Sequence, residues 1–159
     1  MKESKQFRSA YSAALRYLLS QSRTYQEVKK RLERKGFDPT VADQVLTRLQ
    51  ELGYVNDGEF ARRWLETEIR RKPQGRHFLR RKLEGRGIDA AIAADSLEAI
   101  YDRAAETASA LEAARKKLPF LELSDPDKCR GKLGQHLQRR GFDYAIIRHV
   151  LAAVLNADE

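Results

Sequence analysis

The chain of 159 residues has one cysteine, Cys129, so no internal disulfide can hold it together. Long apolar runs are absent as well. The longest stretch free of Asp, Glu, Lys and Arg is nine residues, His149 to Ala157, against the ~20 apolar residues that a bilayer helix needs. No helical membrane span can be built from it. The opening MKESKQFR lacks the apolar run and small-residue cleavage site of a secretory signal, so the expected location is the cytoplasm. A Walker-type phosphate loop is missing, and the glycines sit where helices end. Cys129 and His136 could share a helix face, yet no second cysteine or clustered ligand completes a zinc site. Asp125 and Asp127 flank Pro126 as turn and N-cap residues. No set of side chains meets the requirements of a catalytic centre. The expectation is a protein that is not an enzyme and holds no metal or cofactor.

Charge is what the chain has in excess. Lys and Arg outnumber Asp and Glu by 31 to 23, giving about +8 at pH 7 and a pI of ≈ 9.7. That is an electrostatic bias toward polyanions.

A phrase recurs three times: LERKGFD at Leu32 to Asp38, LEGRGID at Leu83 to Asp89, and LQRRGFD at Leu137 to Asp143. The match spreads outward, to Val28, Leu79 and Leu133 four residues before the leucine, and to apolar positions three, eight and eleven residues after the aspartate. Those spacings are helical. The phrase reads as a helix stop fused to a helix start. With Gly36, Gly87 or Gly141 in the left-handed position after a helix, Leu32 pairs with Phe37, Leu83 with Ile88 and Leu137 with Phe142, as in a Schellman motif. Lys35, Arg86 and Arg140 sit where exposed carbonyls favour a cation. Asp38, Asp89 and Asp143 are N-caps of the following helix, with Pro39 at a first helical position.

A further helix precedes each pair. From about Phe7 to Gln21 it places Tyr11, Ala14, Leu15, Leu18 and Leu19 on one face; Thr24 and Glu27 then form a capping box. In the second module Asp57 caps a helix carrying Phe60, Ala61, Trp64 and Ile69. The third has a long helix through Ala104, Ala108, Leu111 and Ala114, then a loop, LPFLELSDP. Trp64 is read as core, and most of the tyrosines as half-buried. The expected architecture is all-α: three tandem three-helix repeats, residues 1–53, 54–101 and 102–159, in an elongated, curved array.

The strings ALRYLLSQSRTYQEVKKRLERKGFD, LQELGYVNDGEFARRW and GRHFLRRKLEGRGID, in this order and spacing, resemble the signature of the RecX family of bacterial recombination regulators. In the third module Gly134 and Gln135 stand where the first two have Lys29–Lys30 and Arg80–Arg81. The resemblance implies a regulatory protein that binds the RecA recombinase and its filament on single-stranded DNA, lodging in the filament groove and hindering ATP turnover, strand exchange or filament growth. It also implies modest affinity for DNA itself. The chain is expected to act as a monomer.

Independently of that resemblance, Arg62 to Arg86 holds ten Lys or Arg against three acidic residues. Arg70, Arg71, Lys72, Arg76, Arg80 and Arg81 are candidates for a phosphate-binding ridge, and Lys29, Lys30, Arg31 and Arg34 repeat it on the equivalent helix of the first module. The competing reading is a helix-turn-helix transcription regulator, since each unit joins helices through a glycine turn. Spread over two modules, the cations suit backbone contact better than base readout.

Overall fold

The computed structural model describes residues 4–156; the first three residues of MKESKQFR and the last three of the chain lie outside it. Among the described residues the chain is helical throughout, with nine α-helices and a short 3-10 turn and no strand. In order these are α1 (Lys5–Ser20), α2 (Tyr25–Arg34), α3 (Pro39–Glu51), α4 (Asp57–Arg71), α5 (Arg76–Gly85), α6 (Ala90–Ile100), α7 (Arg103–Lys117), the 3-10 turn Leu118–Phe120, α8 (Pro126–Arg139) and α9 (Tyr144–Leu155). The chain divides into two compact units, Met1–Arg63 with Leu83–Ala93, and Trp64–Lys82 with Ala94–Glu159. The division passes through α4, α5 and α6.

In the first unit, α1, α2 and α3 pack on one another. Their core holds Ala14, Val28, Leu32, Val45, Leu46 and Leu49, with Phe37 packed against it. Ala10 and Ala14 are the residues of α1 that are fully covered, and Tyr11, Leu15 and Leu18 of the expected apolar face pack against the same core, while Leu19 does not. Leu19 is 85% exposed, because at 100° per residue it lies about 180° round the helix from Ala10. In the second unit, α7, α8 and α9 pack together over Leu133, Leu137, Phe142, Ile146, Val150 and Leu151. Here α7 turns in Glu106, Ala110, Ala113 and Ala114, leaving Ala104 and Ala108 exposed. Alanine burial is worth little, so an alanine-rich helix does not announce its inward stripe.

The three joins share one geometry. Phe37 N donates to Leu32 O at 3.2 Å and Gly36 N to Glu33 O at 3.0 Å; Ile88 and Gly87 do the same to Leu83 and Glu84, and Phe142 and Gly141 to Leu137 and Gln138. Gly36, Gly87 and Gly141 have φ of 87°, 88° and 84°, the left-handed region that only glycine enters cheaply. Each aspartate caps the next helix, accepting from Thr40, Ala91 and Ala145 N at 2.8, 2.9 and 2.9 Å.

What differs between joins is what lies on them. Thr24, fully buried, accepts from Glu27 N in the α2 capping box and donates its hydroxyl to Arg86 O at 2.8 Å. A methyl group on Gly87 would overlap Gln26. In the second unit Gly75 N donates to Arg140 O at 2.8 Å and His77 N to Gly141 O at 3.2 Å. A methyl on Gly75 would overlap the Gly141 carbonyl, and one on Gly141 would overlap Phe78. Around Gly36 there is open space. The second and third joins thus each receive the start of an earlier helix, and among the described residues the first receives none.

One cap differs from expectation. Asn56 caps α4, its side chain accepting from Glu59 N at 3.0 Å, while Asp57 accepts from Tyr25 N at 2.9 Å at the start of α2. Burial, with the nearby Glu27 charge adding to it and the Tyr25 bond opposing, holds the Asp57 carboxyl above its ordinary range.

Glycine at these joins is predicted to carry unequal weight. Gly36→Ala should cost about 1–2 kcal/mol, the left-handed backbone alone. Gly141→Ala should cost about 3 kcal/mol or more, because overlap with Phe78 is added. Urea denaturation midpoints of the two variants measure the difference, and equal losses would mean that close approach is not what Gly141 serves.

Candidate polyanion-binding surfaces

The cations of α2 face three ways. Lys30, Arg31 and Arg34 are exposed, and the Arg31 guanidinium lies 5.3 Å from the centre of the Tyr17 ring, which Arg23 also covers at 4.2 Å. Lys29 turns aside to Asp43 at 3.5 Å. Lys35 lines a shallow groove of about 640 Å³ with Lys5, Arg8 and Arg16 of α1, and two serines, Ser9 and Ser12, complete its polar wall. No carboxylate is among its described lining residues.

The cations between α4 and α5 separate more sharply. Arg70 is exposed. Arg71 makes a bidentate pair with Glu68, both bonds 3.1 Å. Lys82 reaches the same carboxylate at 3.5 Å and donates to Gln74 at 2.7 Å. Burial pushes the Glu68 carboxyl up, but bonds from Gln74 and Arg71 and the charges of Lys82 and Arg71 together hold it below its ordinary range. Arg80 and Arg81 are exposed.

Arg76 leaves the expected ridge. Its Nε meets Glu106 at 2.8 Å, its backbone N donates to the other Glu106 oxygen at 3.1 Å, and a terminal nitrogen donates to Tyr101 O at 2.7 Å. Glu106 is 1% exposed, a charge that could not be buried without such a partner. Tyr101 closes the arrangement by donating to Gln74 O at 2.7 Å, and burial foremost lifts its phenol to about 12. Arg76 is therefore an interior counter-ion, 30 residues away in sequence from the acid it neutralises.

Lys72 instead joins a group that the sequence does not place beside it. Two adjoining grooves of about 370 and 250 Å³ bring Lys72 together with Lys116, Lys117, His136, Arg139 and Arg140, again without a carboxylate among the described lining residues. The positive potential bears on two groups. Lys82 foremost, then burial, with Arg71 and Arg140 adding and Glu68 opposing, draws the Lys72 ammonium below its ordinary value. Burial, then Arg140, Lys117 and Arg139, lowers the His136 imidazole below 6.5. Groups held in such a field favour any ligand that brings negative charge. Phe120, 83% exposed, stands at the edge. Tyr54 and Tyr144 are also exposed, and Trp64 is only half-buried.

Comparison with known proteins gives this surface its context. The profile of the first three-helix domain of RecX matches residues 10–49, that of the second matches 56–97, and that of the third matches 104–151. The chain belongs to the RecX family. Regulatory protein RecX of Prosthecochloris aestuarii is 38% identical over 148 residues, covering 93% of this chain and 95% of the relative. That of Chlorobium phaeobacteroides is 35% identical over 150 residues, covering 94% and 96%. A crystal structure of RecX from Lactobacillus salivarius superposes with a TM-score of 0.89 at 26% identity, over 96% of this chain and 97% of the other. The chain is thus a regulatory protein of three RecX three-helix domains.

Against that frame of RecX domains, Lys72 belongs to the second and Lys116, Lys117, His136, Arg139 and Arg140 to the third. Reading cations as runs along single helices missed the third-domain group. Its visible signals are the run Arg115–Lys116–Lys117 at the end of α7 and the Arg139–Arg140 pair inside LQRRGFD, of which capping explains Arg140. Lys5, Arg8 and Arg16 were missed as well; their signal is a polar stripe of α1 opposite Ala10 and Ala14.

Two outcomes follow from this geometry. Glu106→Ala should lower stability by about 2–3 kcal/mol, the upper range for a broken buried pair reduced because Arg76 keeps partial contact with water. Arg76→Ala should also lower the melting temperature, which a purely outward cation would not do. For His136, the unfolded chain takes up its proton near 6.5 and the folded chain only at lower pH. Stability should therefore fall as pH drops through that window. An NMR titration should place the His136 midpoint below 6.5 and move it upward on adding polyphosphate; an unshifted midpoint in both conditions would remove the field argument.

Proposed function

We propose that this chain binds the RecA recombinase filament on single-stranded DNA and restrains its activity in recombination and repair, without a catalytic step of its own. Membership of a family of regulatory proteins named RecX supports the direction of this reading. The observation that carries it to residues is the groove around Lys72, which gathers Lys72, Lys116, Lys117, His136, Arg139 and Arg140 with no carboxylate among its described lining residues, Lys116 reaching out to an acid, Glu112 at 2.9 Å. Such a groove gains by neutralisation, and a phosphate backbone is a repeating anion of matching chemistry. Lys30, Arg31, Arg34 and the groove at Lys35 form a second positive surface in the first RecX domain. Arg70 and Arg80 are exposed cations of the same RecX domain as Lys72, Arg81 lines a separate trough, and Arg76 is left out because Glu106 occupies it.

Phosphate contact of this kind fixes a protein on a nucleic acid without reading its sequence. It suits modest direct DNA affinity by a cytoplasmic monomer, with the recombinase adding further contact. A helix-turn-helix transcription regulator would behave in the opposite way, with strong preference among duplex sequences and a footprint.

The test pairs filament association and strand exchange with a salt series. Wild type should bind a RecA–single-strand filament and slow strand exchange at micromolar concentration. Lys72→Ala with Arg139→Ala should weaken binding to an oligo-dT strand and flatten the plot of log affinity against log salt by about 1.4, the share of two single-strand phosphate contacts. No association and no inhibition by wild type would end the regulatory reading. An unchanged salt slope would remove the groove from it.

A further inference from the structure

A different trough lies in the second unit, between the start of α5 and the exposed faces of α8 and α9, with a volume of about 740 Å³. Its chemistry is unlike that of the grooves above. The floor is apolar, formed by Ile147 and Leu151 of α9. In the α8 wall Gly131 and Gly134 stand three apart among Arg130, Gln135 and Gln138; a methyl on Gly131 would meet nothing within 4 Å, and one on Gly134 only Leu151 at 3.6 Å. Three guanidinium groups, from Arg81, Arg130 and Arg148, stand around the rim, with no carboxylate among the described residues that line it. Asp143, close by, is engaged in capping α9 through Ala145 N at 2.9 Å and in facing His77 at 3.6 Å.

Both halves of this arrangement restrict the occupant. Phe142, which also lines the trough, is only 3% exposed and offers no open face for a base to stack on, and the exposed ring at the edge, Tyr144, already has the Arg148 guanidinium 5.8 Å from its centre. Apolar side chains fit such a floor, and the two glycine positions let another backbone approach there. Arginine forks around the edge match carboxylates. We propose that the trough docks an acidic amphipathic segment of a protein partner, its apolar side chains on Ile147 and Leu151 beside Gly131 and Gly134, and its carboxylates against Arg81, Arg130 and Arg148. This goes beyond phosphate binding at Lys72 and does not depend on it.

The test uses the full chain and a fluorescein-labelled peptide of about 15 residues, with leucines at helical i, i+3, i+4, i+7 spacing flanked by glutamates. A scrambled peptide of the same composition and an oligo-dT strand serve as the other probes. By fluorescence anisotropy the patterned peptide should bind wild type at least about tenfold more tightly than the scrambled one. Gly131→Trp, which fills open space, and separately Arg130→Glu with Arg148→Glu, should each weaken it about tenfold. Circular dichroism should show unchanged helix content and melting for both. The Lys72→Ala, Arg139→Ala variant should bind the peptide as wild type does, so that a failure of the phosphate groove and a failure of this trough are told apart. Absence of peptide binding, or binding indifferent to both trough variants, overturns the proposal. Loss of oligo-dT binding in Gly131→Trp equal to the loss of peptide binding would assign the trough to nucleic acid instead.

Discussion

The start of one helix resting on the glycine turn of a later join is the contact on which the rest depends. It occurs as Thr24 and Gln26 on Arg86–Gly87, and as Gly75 to Phe78 on Arg140–Gly141. A helix start and a helix end both carry unsatisfied backbone groups, donors at one and acceptors at the other. Bringing them together satisfies part of each without water, provided that the turn carries no side chain. Glycine is thus required twice over at the second and third joins, for backbone conformation and for approach. At Gly36 conformation alone requires it.

The same contact decides what becomes of the cation before each glycine. Arg86 lies beside the start of α2 and takes both Glu27 oxygens at 3.0 Å, with its guanidinium 4.7 Å from the Phe60 ring centre. Arg140 turns its Nε to Pro73 O at 2.9 Å, 67 residues away in sequence. Lys35, on the join that receives nothing, stays exposed and lines the cationic groove with α1. One sequence position therefore yields two structural cations and one surface cation. Whether a helix start lies over the turn decides between them, and the phrase itself does not record it.

That is also the boundary of what could be read from the chain. Local devices are legible because their partners lie within five residues: the Schellman pairs at Leu32, Leu83 and Leu137, the aspartate caps, and the Thr24–Glu27 box. The site is much less so. Arg76 belongs to Glu106 and Lys72 to the third-domain cations, and no spacing rule spans such distances. A run of arginines looks uniform in sequence; burial of a single carboxylate 30 residues on removes one member from it. Asn56 and Asp57 show the same limit on a smaller scale. Either is a good cap, and the choice is made by Tyr25 N, 32 residues upstream of Asp57, which needs an acceptor.

Why the cations around Lys72 stay close, with Lys116 paired to Glu112 at 2.9 Å and no carboxylate among the described residues lining the groove itself, follows from the backbone beneath them. Gly75 N to Arg140 O and Arg140 Nε to Pro73 O clamp the segment just after α4 onto the third join. Lys72 is one residue from that clamp, so its proximity to Arg140 is imposed by bonds that do not involve its charge. The neighbouring cations act in the same direction on both groups, Lys82 foremost lowering the Lys72 ammonium from its ordinary value and Arg140, Lys117 and Arg139 adding to burial at His136. A ligand with phosphate oxygens would offset these charges without rearranging the fold, since they are already in position. The glycine join, which is architecture in its own right, thereby holds the surface in a state that favours an anion.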